Sequence, residues 1–110
     1  MFSGLGGENS IRAKIEVSIG LLTLHLHLPG CASLKEKRSR LKPLLTRLRR
    51  EFNVSVAEIG QQDIWQNALV ACAMVSNENG HTQRALQEVA RWVERNWPDV
   101  TLMDEKIEIF

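Results

Sequence analysis

Four leucines at alternate positions, Leu22, Leu24, Leu26 and Leu28, end at Pro29-Gly30, and the next leucines recur at helical spacing. These are Leu34, Leu41, Leu45 and Leu48, followed by Phe52. An apolar period that changes from two to about 3.6 within a few residues leaves little choice of structure. It demands a strand with one apolar face and then a helix whose single apolar stripe is buried. The strand reading spans Ile15 to Leu28, with Leu21, Thr23, His25 and His27 on its second face. Pro29-Gly30 stops it. Ser33-Leu34-Lys35-Glu36 has the spacing of a capping box, Ser33 accepting from the Glu36 amide and Glu36 reaching back. Pro43 falls inside the helix, where it lacks a donor and crowds the Ser39 carbonyl. The leucines keep their phase across it, so a kink rather than a break is expected.

The rest of the chain repeats this alternation of periods. Asn53 to Ile59 alternates as a second strand, Gly60 to Asp63 is a turn, and Trp65 to Val75 is a third strand apolar on both faces. A strand of that kind belongs in the middle of a sheet. Trp65 reads as the anchor of the hairpin. Ser76 to Gly80 is polar, its Ser and Asn side chains suited to cap a helix that runs to about Asn96 with Leu86, Val89, Ala90, Val93 and Trp97 as its stripe. Pro98 closes that helix, and Val100 to Phe110 is the last strand. The order β-α-β-β-α-β predicts an α+β, ferredoxin-like fold: a four-stranded antiparallel sheet, order 4-1-3-2, with two helices on one face. Residues 1–12 carry glycines and no apolar period and read as a disordered lead-in. Residues 13–110 read as a single domain, long enough to bury a core.

No apolar run approaches the roughly 20 residues that span a bilayer. The first ten residues lack a basic start followed by an apolar stretch, so no secretory signal is read there. Two cysteines, Cys31 and Cys72, make neither a disulfide framework nor a zinc site, and the expected setting is reduced and cytoplasmic. The chain's net charge of +1 hides a segregation: Leu34 to Arg50 carries eight of the fourteen Lys and Arg residues and one acid, giving +7 against −6 for the remainder.

Four segments together resemble the YlxP-like family: Leu26-His-Leu-Pro-Gly30, Ser33-Leu-Lys-Glu-Lys-Arg38, Arg49-Arg-Glu-Phe-Asn-Val-Ser-Val-Ala-Glu58 and Gln62-Asp-Ile-Trp-Gln66. The resemblance covers about Val17 to Phe110. It implies a ferredoxin-like fold and a bacterial cytoplasmic setting. Members are often encoded among translation and ribosome-maturation genes, which implies RNA as the partner. It implies no activity and supplies no site residues.

The basic helix is the first candidate site. On a helical wheel Lys35, Lys42, Arg49 and Arg50 fall on one flank and the outer face, and Arg40 and Arg47 on the opposite flank. Lys37 and Arg38 lie close to the leucine stripe, where long stems can cover apolar surface and extend their charges outward. Such a surface suits phosphate backbones and offers no base readout, so RNA or a ribosome is the expected partner and DNA is not. The alternative is a solvated face that keeps the chain soluble.

The open sheet face is the second candidate. Its outward positions include Thr23, His25, His27, Asn67, Leu69 and Ala71, with no aromatic to stack a base in the usual way for this topology. Thr23, His25, His27, Leu69 and Ala71, with Trp92 off the second helix's stripe, are read as a partner interface, self-association included. No catalytic residues, metal site or cofactor are read. His25 and His27 lack a converging third ligand, His81 being remote. Cys31, before a helix start, has no base at a motif-like spacing. Glu58 and Asp63 flank a hairpin without a pocket signature.

Overall fold

The computed structural model describes residues 16–110, and the expected lead-in lies outside them. Six elements follow in the order β1 (Ser18–His27), α1 (Leu34–Glu51), β2 (Ser55–Gly60), β3 (Asn67–Ser76), α2 (Asn79–Asn96) and β4 (Thr101–Ile109). Every strand is antiparallel to its neighbours, and the sheet order is β2-β3-β1-β4, which from the opposite edge reads 4-1-3-2. β1 and β3 are therefore central. This is an α+β fold of two helices against a four-stranded antiparallel sheet.

The core follows from the alternation. Leu22, Leu24 and Leu26 stand opposite Cys72, Val70 and Ala68 in the β1–β3 register, large side chains facing smaller ones. All six are completely buried, and Leu41, Leu44 and Leu48 of α1 and Leu86, Val89, Ala90 and Val93 of α2 close over them. Full burial of such a leucine stabilises the fold by roughly 2 kcal/mol. α2 lies close enough to β1 that Gly20 has no room for a side chain. A Cβ there would stand 2.3 Å from Thr82 Cγ2 and 2.8 Å from Leu86 Cδ1. The same contact is pinned by a buried hydroxyl cluster. Ser18 Oγ donates to Thr82 Oγ1 at 2.9 Å, and Ser76 Oγ shares a hydrogen bond with Thr82 Oγ1 at 2.6 Å.

Three local expectations are corrected. The buried face of α1 is Lys37, Leu41, Leu44 and Leu48, leaving Leu45 and Phe52 half-buried. At 100° per residue this rotates the stripe by about 45° from the one the leucine spacing suggested, toward Lys37 and away from Arg38. The capping box forms with a shifted return arm: Ser33 Oγ accepts from Glu36 N at 3.1 Å, but Glu36 Oε1 accepts from Ala32 N. At α2 the N-cap is Glu78, with no side-chain cap. Ser76 turns instead to Thr82 and to the Glu78 amide.

Candidate nucleic-acid interface

The eight cations of α1 divide into three groups. Lys37 is 2% exposed, so its charge does not extend outward as expected. Its Nζ donates to the carbonyls of Gln61 at 2.6 Å and Ile64 at 2.8 Å. It also pairs with Glu58 Oε2 at 2.9 Å, an ion pair without hydrogen-bond alignment. An ammonium has three protons and no acceptor capacity; the two carbonyls take two of them and the carboxylate balances the charge. Without them its burial would be prohibitive. Lys37 is thus a clamp that ties α1 to the β2–β3 hairpin, and it is removed from the interface.

Arg40 and Arg47 are engaged on the flank that faces α2. Arg40 holds Asp99 through Nε at 2.9 Å and Nη2 at 3.1 Å, and also reaches Pro29 O, Asp99 O and Glu36 Oε2. The hydrogen bond to Asp99 raises its pKa further, burial opposing. Arg47 pairs with Glu51 at 3.1 Å and lies 5.5 Å from the Trp92 ring centroid, a cation–π geometry. Arg49 donates to Val56 O at 2.8 Å, covering a carbonyl of the edge strand β2.

The third group is Lys35, Arg38, Lys42 and Arg50. All four are exposed, and none has an ion-pair or hydrogen-bond partner among the described residues. On the wheel they fall within one outward arc of about 120°, and both acids of α1, Glu36 and Glu51, lie outside it. A helix surface with four unneutralised cations and no carboxylate can accept a row of phosphates.

The hairpin held by Lys37 differs from the expectation. Trp65 does not anchor it; its side chain is 45% exposed, as is nearly as much of Ile64. The anchors are Lys37, the Leu28 N to Gln66 O bond at 2.7 Å and the Gln66 Nε2 to Cys31 O bond at 3.3 Å. Gln61 adopts φ +61°, a left-handed backbone uncommon for a side chain other than Gly or Asn. Three of the four segments that carry the family resemblance meet at this junction of β1 end, α1 start and hairpin, and Arg49–Glu58 reaches it through Glu58.

The sheet face holds Thr23, His25, His27, Leu69 and Ala71 together, as expected from the alternation. Trp92 is not part of it. Its ring packs edge-on to Phe52 at 6.0 Å and against Trp97 at 6.1 Å, in the helix layer. Three large apolar residues of the sheet face are exposed side by side at its far end. Phe110, the residue after β4, forms one row with Ile19 of β1 and Val75 of β3, with 69%, 44% and 65% exposure. Sequence reading passed over this row because the first and last residues of strands look like boundaries. Among the described residues no three His, Cys, Asp or Glu side chains converge as metal ligands, and no helix is long and apolar enough to cross a membrane. Cys31 and Cys72 are buried free thiols, and burial pushes Cys72 up to about 12.

The family model for "Protein of unknown function (DUF503)" matches residues 19–107, from the outward end of β1 into β4. The chain belongs to the DUF503 family. It is 37% identical over 92 residues to "Uncharacterized protein YlxP" of Bacillus subtilis (strain 168), covering 84% of this chain and 99% of that one. The DUF503 match and this relative bear out the resemblance and bring no activity with them. Among solved structures the de novo designed protein Foldit4 aligns with a TM-score of 0.51 at 12% identity, over 86% of this chain and 97% of that one. At that identity the likeness concerns the fold alone.

Proposed function

We propose that this protein is a non-enzymatic RNA-binding protein of the bacterial cytoplasm, contacting ribosomal RNA during ribosome maturation or translation through the outward arc of α1. One observation carries the reading: Lys35, Arg38, Lys42 and Arg50 share an exposed surface with no carboxylate partner among the described residues. The arrangement is read as ferredoxin-like, a frame whose RNA-binding members usually present aromatics on the sheet. Here the cations sit on the helix side, so phosphate-backbone contact to folded RNA fits better than base stacking on strands. The family's genomic setting supports the choice of ribosomal RNA.

The test is salt-dependent binding to purified bacterial small-subunit ribosomal RNA. Replacing Lys35, Arg38, Lys42 and Arg50 together by alanine should weaken binding and lower the log–log salt slope by about 3. Arg47 and Arg49, engaged within the molecule, are the weaker choice for such a variant. Unchanged affinity and slope in the fourfold variant would end the proposal.

A second reading is favoured by the row Phe110, Ile19 and Val75: a module that self-associates through the open sheet face. Three large apolar side chains side by side on a surface are the usual mark of a covered one.

A further inference from the structure

We propose that the hairpin Gln61–Gln66 is a platform for one unpaired base of the bound RNA, with Trp65 as the stacking ring. The inference rests on the RNA reading above and adds the class of RNA: one with a loop, bulge or single-stranded end.

The hairpin is held far more firmly than a connection between adjacent antiparallel strands requires. A buried ammonium gives it both of its hydrogen bonds, at 2.6 Å and 2.8 Å, and Ile64 N closes onto Gln61 O at 3.0 Å. Gln61 is kept in a left-handed conformation, the kind of backbone strain that persists where a site is over-determined by its surroundings. Among the exposed side chains of this loop, Gln62, Asp63, Ile64, Trp65 and Gln66, the one aromatic ring is Trp65. Trp65 has 45% exposure, whereas Trp92 and Trp97 are packed against each other in the helix layer.

Its position relative to the cations follows from two contacts. Arg49 reaches β2 at Val56, and Lys37, three turns earlier on α1, reaches the hairpin at Gln61 and Ile64. β2 therefore runs alongside α1 toward the helix start, and the hairpin reaches the N-terminal turns of α1, the end of the helix at which Lys35 and Arg38 stand. An RNA backbone laid along Lys42, Arg38 and Lys35 runs toward the end of α1 to which the hairpin is tied. The exposed carboxylate of Asp63 in the same turn repels phosphate, so it is a base rather than the backbone that meets the ring. A ring can stack only on a base that has left its own helix, which selects unpaired nucleotides over duplex.

The experiment compares end-labelled oligoadenylate with a blunt RNA duplex of equal length, titrated with the full chain at several salt concentrations. Trp65→Ala should weaken oligoadenylate binding by roughly 5- to 100-fold while leaving duplex affinity and the salt slope unchanged. Trp65→Phe, which keeps a ring, should stay within about threefold of the parent. Oligoadenylate should quench the parent's Trp fluorescence and fail to quench that of Trp65→Phe to the same degree. If Trp65→Ala binds oligoadenylate like the parent while the fourfold helix variant loses affinity, the platform is wrong and the RNA reading stands. If the fourfold variant also binds unchanged, the RNA reading itself falls. Equal weakening of duplex and single strand by Trp65→Ala overturns the platform as well.

Discussion

A lysine placed in the centre of a helix's apolar face is the residue that ties α1 to the β2–β3 hairpin. Lys37 stabilises nothing by burial alone; it does so because Glu58 and the carbonyls of Gln61 and Ile64 are waiting for it. Lys37→Met keeps the stem and removes the ammonium, leaving two carbonyls and a carboxylate without their cation. The expected cost is about 3 kcal/mol, read as a lower midpoint in urea or heat. Amide exchange should accelerate in residues 61–66 before the central strands are affected. A variant as stable as the parent would show that the hairpin is held by something else. Cys72 makes a second residue-scale prediction. Its folded pKa of about 12 lies above the ordinary 9.0, so the native state holds that proton longer than the unfolded chain does. The stability it contributes is intact below pH 9 and is lost as pH rises toward 12. Across that window the parent should lose stability faster than Cys72→Ala by up to roughly 1.4 kcal/mol per pH unit. Parallel curves would contradict it.

α1 is one element with a different neighbour on each side, and its sequence obeys all of them. Leu41, Leu44 and Leu48 face the core, Arg40 and Arg47 face Asp99 and Trp92, and Lys35, Arg38, Lys42 and Arg50 face outward. Pro43 is exposed in the middle of an uninterrupted helix, so its missing donor is a local defect that core packing overrides. Pro43→Ala should stabilise the protein by roughly 1 to 3 kcal/mol, less what proline gains by restricting the unfolded chain. Thermal melting checks the sign. Gly20→Ala should act oppositely, because the added methyl runs into Thr82 and Leu86 and forces α2 off β1; about 1 to 3 kcal/mol is expected. The strands, both helices and the central place of β1 and β3 were legible because each follows from a period of apolar residues along the chain. The clamp was not. Lys37 lay next to the leucine stripe on the wheel, yet its acceptors come from residues 24 and 27 positions away, and no local period encodes them. The division of the cations was hidden for the same reason, since Arg40 finds Asp99 across 59 residues. One signal was available: Glu58 is the only acid on β2, and its alternation places it on the inward face.

At the scale of the molecule, the two helices occupy one side of the sheet and leave the other without a cover. The covered side carries the cationic arc; the open side carries the row of Phe110, Ile19 and Val75, flanked by Leu21 and Ala73. The two surfaces are separated by the full thickness of the fold, so pairing of two copies through their sheets leaves both arcs facing outward. Such a dimer would present two phosphate-binding helices to one folded RNA, and the second contact would become intramolecular. Sedimentation at a low and a high protein concentration should reveal the association. Ile19→Lys with Val75→Lys should abolish it while changing the melting midpoint little, since both side chains already face solvent. The double variant should also bind long ribosomal RNA more weakly than the parent and short oligoadenylate equally well, because only the long RNA can span two arcs. A parent that sediments as a strict monomer at both concentrations removes the dimer and leaves the helix as a single, univalent contact.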